Sequence, residues 1–316
     1  MEYKIVTVDD FNQYMKDFSD LYYLCFKQSM SESEIIWRYL KNPNPGLFCC
    51  FAIDDGKLVA NYSVSPIQVV LNGKIYDAVQ SLNTMTHPDY IGRGLFVELA
   101  KTVYNYCAQK GYAGVIGFPN NVSNRTFVNK LNWSDVVALP TLVCNVADYS
   151  NVHLTTGDSI KLDNKFLYDY DDLYSKNNNS IYKSTKYLQW RYFENPTNEY
   201  KNFVIVNDNK VEAYMIIKKY KEDFYNIVDY YDNSDIKKFS SLYSNVKKFI
   251  LENGGKYISI WEQLGTQEHL YLEKERFANS TPITYFGGSV FQNDIDENEY
   301  FCANKWKIGM CDDNVY

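Results

Sequence analysis

A short glycine loop holds the residues of this chain that are best suited to chemistry. Its sequence, Tyr90-Ile91-Gly92-Arg93-Gly94-Leu95, lies between a strand-like run and a helix-like run. Gly92 and Gly94 let the backbone curl and approach a ligand closely. The amides of residues 91–96 would then point outward at the positive end of the following helix dipole. Because Arg93 could add a charge-assisted contact, the pattern predicts a site for phosphate or pyrophosphate.

The loop differs from two well-known phosphate motifs. Position 97 is Val97, so Gly-x-Gly-x-x-Gly is absent, and the Gly-Lys-Ser/Thr ending of a Walker loop is absent too. An isolated Gly-x-Gly also has a simpler interpretation, in which it is a tight turn that binds nothing and Arg93 lies in solvent.

Periodic runs on both sides of the loop predict the elements that must position it. Apolar residues recur at helical spacing, and Asp-Gly or Asn-Gly pairs between apolar runs are strong hairpin signals. The predicted helices are 8–29, 31–40, 95–109 and 123–131, and the predicted strands are 48–54, 57–66, 69–71, 74–86, 113–118 and 136–146. This order predicts an α+β fold with a mixed, mostly antiparallel sheet flanked by helices.

A Trp-Arg-Tyr signature occurs twice, at Trp37 and at Trp190, and several flanking residues match at the same offset of 153 residues. The repeat predicts two copies of one folded unit, residues 1–148 and 164–316, joined by a polar linker at 149–163. The second unit repeats the plan, with helices predicted at 165–173, 184–192, 236–252 and 267–276 and strands at 203–206, 211–218, 226–231 and 257–261.

The two predicted copies differ where the first has its glycine loop. The second copy has Tyr231-Asp232-Asn233-Ser234-Asp235 there, and its two carboxylates would repel a phosphate. We therefore expect that the second copy has lost cofactor binding. Since the Trp-Arg-Tyr signature is present in both copies, we interpret it as a packing motif.

Composition excludes several classes of protein. A net charge of −7 over 316 residues argues against nucleic acid as a partner. The apolar run from Leu47 to Ile53 is far too short to span a membrane, and the amino terminus lacks the apolar region of a secretory signal. Seven cysteines without a Cys-x-x-Cys pair and three scattered histidines predict neither a metal site nor a disulfide framework. We expect a soluble, cytoplasmic protein.

Three segments carry a family resemblance: His87–Phe96, Gly114–Asn121 and Phe127–Trp133. Together they look like the GCN5-related N-acetyltransferase (GNAT) superfamily, and the order of elements agrees across most of residues 3–147. The duplicate resembles the degenerate second GNAT unit of two-domain bacterial members. The ending from Trp306 to Tyr316 is similar to the ending of such proteins.

The resemblance implies acetyl-CoA as the cofactor and a set of residues that bind it. The pyrophosphate loop of the family falls on Ile91, Gly92, Arg93, Gly94, Leu95 and Phe96. Ile91 replaces the usual Arg or Gln, and Phe96 replaces the usual small residue. The strand Thr84-Met85-Thr86 would pair with the pantetheine arm, and Asn121 is a candidate partner for the same arm. Asn121 could equally be a turn residue or a helix cap.

Acetyl transfer to an amine requires loss of a proton from the ammonium, a donor for the oxyanion and an acid for the leaving thiolate. The resemblance implies a backbone N–H near Met85 as the oxyanion donor, and it places Val128 where many members have an acidic Tyr. Asp77 is the only carboxylate on the strand before the loop and is a candidate base, although it could be a solvated strand end. Asn83 could hold a water that takes the proton, and the carboxylate of Tyr316 is a third option.

The resemblance thus implies an N-acetyltransferase that moves an acetyl group from acetyl-CoA to a small-molecule amine, for example an amino sugar or a nucleotide sugar. A non-catalytic acyl-CoA-binding sensor or structural protein is one alternative, since the usual Tyr and a clear base are missing. A tandem GNAT-type ligase that takes amino acids from charged tRNA is another, but it would need a basic groove.

Overall fold

A computed structural model describes residues 1–44, 46–148, 160–174 and 178–313. The contacts divide the chain into two compact units. Unit 1 comprises Met1–Val137 and Tyr285–Asn304. Unit 2 comprises Ala138–Thr284 and the described residues of Lys305–Tyr316. Each unit therefore includes a segment from the carboxy-terminal part of the chain.

The helices and strands of the two units follow one another along the chain. The strands are β1 Glu2–Val6, β2 Phe48–Asp54, β3 Lys57–Leu71, β4 Lys74–Thr86, β5 Gly114–Gly117, β6 Ser134–Asn145, β7 Ile160–Leu162, β8 Ser180–Ile181, β9 Tyr200–Asn207, β10 Lys210–Lys221, β11 Phe224–Tyr231, β12 Tyr257–Trp261 and β13 Ala278–Val290. The α-helices are α1 Val8–Phe11, α2 Met15–Phe26, α3 Glu32–Ile35, α4 Leu95–Gln109, α5 Asn124–Leu131, α6 Thr185–Leu188, α7 Ile236–Glu252, α8 Gln267–Lys274 and α9 Glu297–Tyr300.

The strands of unit 1 pair in the order β1-β2-β3-β4-β5-β13. Every pairing is antiparallel except that of β4 with β5. The strands of unit 2 pair in the order β6-β12-β11-β10-β9-β7, and there the β11–β12 pair is the parallel one. The predicted α+β class with mixed, mostly antiparallel sheets is confirmed.

Both hairpins predicted in unit 1 form at their Asx-Gly pairs. Asp55 and Gly56 have φ of 47° and 77°, and Asn72 and Gly73 have φ of 49° and 72°. Positive φ at both central residues is the geometry that matches the twist of the flanking strands. The two hairpins bring β2, β3 and β4 side by side, and β4 leads directly into the glycine loop.

Helix α4 fixes the end of that loop against the core of unit 1. Its apolar residues Leu95, Leu99, Val103 and Cys107 recur at helical spacing and are buried. They pack on buried side chains of the sheet, which include Cys50, Ala60, Val64, Val79 and Val115. In unit 2, α7 packs against the core in the same way, through the buried residues Phe239, Leu242, Val246 and Ile250.

One sequence-based expectation fails in the segment that follows the predicted linker. The predicted helix 165–173 does not form, because both carboxylate oxygens of Asp163 accept backbone N–H bonds, from Leu167 at 2.9 Å and from Tyr168 at 3.3 Å. These bonds hold Phe166 at a φ of 54°, outside the helical region. Within the predicted linker, residues 160–162 form β7 and pair with β9, and residues 149–159 lie outside the described residues.

Strand β13 has no counterpart among the predicted elements. Its residues Gly287–Val290 pair antiparallel with Gly114–Gly117 of β5. A Cβ atom at Gly288 would collide with the carbonyl oxygen of Val115, so glycine is required for this close approach. In the sequence, the Gly287-Gly288 pair was therefore the feature that could have indicated this strand.

Candidate functional site

The glycine loop enters α4 through a series of tight backbone turns. The Nδ1 atom of His87 accepts the N–H of Asp89 at 3.2 Å, and residues 88–90 form one turn of 3₁₀-helix. Gly92 and Gly94 then have φ of 83° and 78°, which L-residues with side chains rarely adopt. Gly94 is the residue that precedes the first turn of α4, and no side chain caps the helix there.

The space in front of the loop is open. A Cβ atom added at Gly92 or Gly94 would meet nothing within 4 Å, whereas Leu95 is buried and anchors the helix start. The first backbone N–H groups of a helix have no partner within the helix. They therefore face accessible space at the positive end of a helix of 15 residues. This geometry fits an anionic ligand such as a diphosphate.

The side chains that depart from the family's loop pattern are accommodated in different ways. The side chain of Ile91 is 70% exposed, so it does not cover the backbone amides of the loop. The ring of Phe96 turns inward and packs against Phe127 with centroids 5.0 Å apart and against Tyr62 at 5.9 Å. A bulky residue at position 96 thus contributes to the core while its backbone stays available to a ligand.

Arg93 is already engaged with its neighbours. Its guanidinium lies over the ring of Tyr90, 4.4 Å from the centroid, and donates to the backbone oxygen of Asp89 at 3.1 Å. The hydroxyl of Tyr90 donates to Asp54 at 2.8 Å. That hydrogen bond and the amino terminus lower the pKa of Asp54. A contact from Arg93 to a bound phosphate therefore requires the side chain to leave Tyr90.

Strands β4 and β5 separate in front of the loop. They pair through Val79–Val115 and Gln80–Ile116, and β4 then continues to Thr86. A bulge interrupts the register between β3 and β4 just before Thr84. Thr84, Met85 and Thr86 pair with β3 on one side, beyond the last pair with β5. An extended ligand has room to run along β4 at this point.

Asn83 lies at this bulge and is held by two hydrogen bonds. Burial raises the pKa of Tyr39, so its hydroxyl stays protonated and donates to Oδ1 of Asn83 at 2.6 Å. The Nδ2 atom of Asn61 donates to the backbone oxygen of Asn83 at 2.9 Å. With Oδ1 taken, the amide nitrogen Nδ2 of Asn83 is left to donate to a substrate oxygen or to a water.

The structure does not bring Asp77 together with Asn83. Asp77 is exposed near the start of β4 and accepts a hydrogen bond from Gln68 at 3.1 Å. Asn83 lies six residues further along the strand, which corresponds to about 20 Å. The third candidate base, the carboxylate of Tyr316, lies outside the described residues.

Asn121 lines a cavity of about 390 Å³ beside α5. Val128, which stands where the resemblance expects a tyrosine, lines the same cavity. A phenol is nevertheless present there, because Tyr285 of β13 also belongs to the lining. Sequence reasoning missed Tyr285, since no local pattern ties it to α5.

Unit 2 differs at the position that corresponds to the glycine loop. Asp235 caps α7, and its carboxylate accepts the N–H of Lys237 at 2.9 Å. The residue before α7 therefore carries a negative charge, whereas Gly94 before α4 has no side chain; the first turn of α4 contains Glu98. The parallel strands of unit 2 separate in the same way as those of unit 1. The last pair of β11 with β12 is Ile227–Ile260, and the last pair of β4 with β5 is Gln80–Ile116.

Three buried carboxylates follow β11 and β12 in unit 2: Asp232, Glu262 and Glu268. Lys307 binds Glu268 at 3.1 Å and lies 5.6 Å from the centroid of the Tyr230 ring. Burial raises the pKa of Asp232 to about 7, and it also raises that of Glu262. Burial opposes ionisation of Glu268 too, but Lys307 and a hydrogen bond with Asp232 lower its pKa. The cluster is acidic and already holds a cation.

The carboxy-terminal segment Lys307–Asp312 is fixed in unit 2 by a second ionic cluster. Lys183 contacts Asp229 at 2.8 Å and Asp312 at 2.9 Å, and all three are largely buried. Arg191, from the repeated Trp-Arg-Tyr signature, donates to the backbone oxygen of Cys311 at 3.0 Å. The repeated motif therefore contacts polar groups in both units, through Tyr39 in unit 1 and Arg191 in unit 2.

In the described part of the chain, no group of His, Cys, Asp and Glu side chains has an arrangement that would hold a metal ion. None of the helices formed by residues 1–44, 46–148, 160–174 and 178–313 is long and apolar enough to cross a membrane.

Comparison with known proteins gives a family and several similar folds. Residues 5–136 match the family model described as acetyltransferase (GNAT) domain. A probable N-acyltransferase from Enterococcus faecalis V583 is 14% identical, with a TM-score of 0.73 over 92% of this chain and 73% of the other. A tandem GNAT protein from the clavulanic acid biosynthesis pathway is 10% identical, with a TM-score of 0.60 over 93% of this chain and 100% of the other.

A third similar structure is Saccharomyces cerevisiae N-myristoyltransferase with bound myristoyl-CoA, which is 12% identical with a TM-score of 0.58. That alignment covers 91% of this chain and 79% of the other. At these identities the likeness concerns the fold. A search of curated proteins found no match.

Proposed function

Residues 5–136 of this chain belong to the acetyltransferase (GNAT) domain family, and on that premise we propose that the protein is an N-acetyltransferase. It moves an acetyl group from acetyl-CoA to a small-molecule amine such as an amino sugar or a nucleotide sugar. The observation that carries this proposal is the uncapped, accessible start of α4 at Gly94.

The residues around this helix start fit acetyl-CoA, which when bound supplies an acyl group activated as a thioester. The amides of residues 91–96 bind the diphosphate, because the first N–H groups of α4 have no partner within the helix and lie at its positive end. The N–H of Ile91 donates to the backbone oxygen of Pro88 at 3.4 Å and would have to exchange that bond for the ligand. Thr84, Met85 and Thr86 offer strand backbone to the pantetheine arm, and Asn121 offers its side-chain amide.

Asn83 is the polar side chain best placed beside the reacting end of the donor. Tyr39 fixes its amide so that Nδ2 points away from the hydroxyl of Tyr39. The Nδ2 atom then donates to the oxygen of a water or of the substrate, while the backbone N–H of Met85 serves a developing oxyanion. Asp77 is a weaker candidate for the general base, because it lies near the start of β4, far from Asn83 and Met85 near its end.

Unit 2 binds no CoA in this proposal. Its helix α7 is preceded by Asp235, whose carboxylate already accepts the N–H of Lys237 and places a negative charge where a phosphate would lie. Three buried carboxylates and Lys307 lie where β11 and β12 separate. Bringing a diphosphate to this acidic region would add like charges in a poorly solvated place, which is costly.

The test is release of free CoA thiol from acetyl-CoA in the presence of a panel of amines, with the product identified by mass spectrometry. We expect thiol release that depends on the amine and a product that carries one acetyl group. Binding of CoA without thiol release for any amine would point to an acyl-CoA sensor. Absence of CoA binding would refute the assignment of the loop.

A further inference from the structure

Four polar side chains of unit 1 form a series of hydrogen bonds that ends at Ser81 on β4. The indole Nε1–H of Trp133 donates to the hydroxyl of Tyr104 at 2.9 Å. The hydroxyls of Tyr104 and Tyr62 lie 2.7 Å apart, and the hydroxyl of Tyr62 donates to Oγ of Ser81 at 3.0 Å. We call these four residues the Ser81 network.

The direction of the Ser81 network is fixed at both ends. Trp133 can only donate, and Tyr62 uses its proton for Ser81, so Tyr104 must donate to Tyr62. Burial raises the pKa of Tyr62 and of Tyr104, so both phenols stay protonated. The hydroxyl proton of Ser81 is therefore left over at the end of the series. The described residues offer that proton no acceptor.

Ser81 is the member of this network that a ligand can reach. The other three members are buried, whereas Ser81 is partly exposed. Ser81 directly follows Gln80, whose pair with Ile116 is the last between β4 and β5. A ligand that extends from the start of α4 along β4 meets Ser81 where the space between the strands closes. Since about 17 Å of strand separates Thr86 from Ser81, Ser81 faces the far end of such a ligand and not its diphosphate.

The bulge of β4 turns Ser81 and Asn83 to opposite faces of the sheet. Residues 81 and 83 would share a face in a regular strand. Here Oγ of Ser81 contacts Tyr62, which belongs to the core that α4 covers. The side chain of Asn83 contacts Tyr39, which belongs to the other core of unit 1. The reacting end of the donor therefore has a polar group on either side.

We infer that the hydroxyl of Ser81 donates a hydrogen bond to the thioester sulfur and stabilises the thiolate that leaves. The inference rests on the proposed function and adds a catalytic residue to it. In the transfer, the C–N bond of the product forms and the C–S bond breaks. The electron pair of the C–S bond passes to sulfur, and the proton lost by the amine passes to water. Ser81 keeps its own proton, and the thiolate takes up a proton from water after release.

The sulfur is the atom that lacks a donor in the proposed function. The backbone N–H of Met85 serves the carbonyl oxygen there, and Val128 cannot donate to the leaving group. A hydrogen bond to a developing charge in a poorly solvated site stabilises the transition state more than the ground state. Tyr62 acts through Ser81 as a positioning residue, because its hydrogen bond fixes Oγ and polarises the serine O–H.

The first experiment is a crystal structure of the protein with CoA. We expect Oγ of Ser81 to lie within about 3.5 Å of the CoA sulfur, and Tyr62 to keep its hydrogen bond to Oγ. A separation of more than about 5 Å, with the diphosphate bound at the start of α4, would overturn the inference because no hydrogen bond spans that distance.

The second experiment measures kinetics and CoA affinity of Ser81 variants. We expect Ser81→Ala to lower kcat by about 10- to 100-fold and to change the Kd of CoA by less than about twofold. Ser81→Thr keeps the hydroxyl and should keep most of the kcat. Ser134→Ala removes an exposed hydroxyl from the same unit and should change neither constant. A full kcat in Ser81→Ala would show that Ser81 has no part in the reaction.

The third experiment identifies the atom that Ser81 contacts. An analogue of acetyl-CoA with oxygen in place of the thioester sulfur releases an alkoxide, which is more basic than a thiolate and depends more on a donor. We expect Ser81→Ala to lower the rate with this analogue by a factor at least about three times larger than with acetyl-CoA. Equal factors for the two donors would place the hydroxyl on the carbonyl oxygen and overturn the assignment to sulfur.

The results separate this inference from the proposed function. If the wild-type protein transfers acetyl groups and Ser81→Ala is as fast, the inference alone is wrong. If the wild-type protein transfers no acetyl group to any amine, the proposed function fails, and the CoA complex then decides on Ser81. Contact between Oγ and the CoA sulfur would still support the hydrogen bond, and a separation beyond hydrogen-bond distance would refute it.

Discussion

The hydroxyl of Tyr39 donates a 2.6 Å hydrogen bond to Oδ1 of Asn83, a residue at the bulge of β4. Unit 2 repeats the relationship, because Tyr192 donates to Oδ2 of Asp229 at 2.8 Å beside the bulge of β11. Both tyrosines come from the repeated Trp-Arg-Tyr signature. The motif therefore holds the strand that separates from its parallel neighbour, in addition to packing against the core.

Replacing Tyr39 by Phe tests whether this hydrogen bond positions Asn83. We expect Tyr39→Phe to destabilise the protein by about 1–2 kcal/mol, since Oδ1 of Asn83 loses its donor. We also expect kcat/KM to fall about tenfold, because the amide is no longer fixed. Tyr192→Phe is the matched control. It should cost stability but leave kcat/KM of the folded protein unchanged, and an equal loss of kcat/KM in both variants would contradict the positioning role.

Replacing Gly94 by Asp tests the phosphate site. A carboxylate there would repel the diphosphate and occupy the helix amides, so we expect CoA to give no thermal stabilisation of Gly94→Asp. Gly111→Asp is the control at the other end of α4. Gly111 also has a positive φ, of 87°, and open space around it, so the backbone strain is similar. Equal CoA stabilisation of the two variants would rule out the loop as the phosphate site.

Lys183 should be essential to the stability of unit 2. Burial by itself lowers the pKa of Lys183, but Asp229 and Asp312 outweigh that effect and keep the lysine charged. Lys183→Met leaves two buried carboxylates without a cation, so we expect a loss of about 3–5 kcal/mol in chemical denaturation. Lys210→Met breaks an exposed ion pair with Asp172 and should change stability by less than about 1 kcal/mol. A similar small effect of both changes would show that the buried cluster contributes little.

Asp232 should make stability depend on pH. Burial raises its folded-state pKa to about 7, and the charged and phenolic groups that interact with it are Lys307, Glu268 and Tyr230. Between pH of about 4 and about 7 the folded chain keeps a proton that the unfolded chain has lost, so the contribution of Asp232 to stability falls as the pH rises.

The measurement is the free energy of unfolding of wild type and Asp232→Asn from pH 4 to pH 8. Because the variant cannot ionise, we expect its stability relative to wild type to increase across this window and to become constant above a pH of about 7. A difference that stays constant, or that decreases with pH, would show that Asp232 ionises normally in the folded protein.

Local sequence determined much of the architecture. Asp-Gly and Asn-Gly pairs fixed both hairpins, because few other residues adopt positive φ at both central positions. Apolar residues at helical spacing located α4 and α7, and Gly92 and Gly94 marked the loop before α4. These features depend on the preferences of neighbouring residues, so they can be read from one segment at a time.

Tertiary structure alone decided which distant segments complete each site. Strand β13 pairs with β5 and places Tyr285 in the lining of the cavity that Val128 also lines. The carboxy-terminal segment places Lys307 beside the buried carboxylate of Glu268 in unit 2. Tyr39 and Asn83, 44 residues apart, meet in the same way. The physical reason is that side-chain contacts between distant segments arise from packing and strand pairing, and local backbone preference does not specify partners.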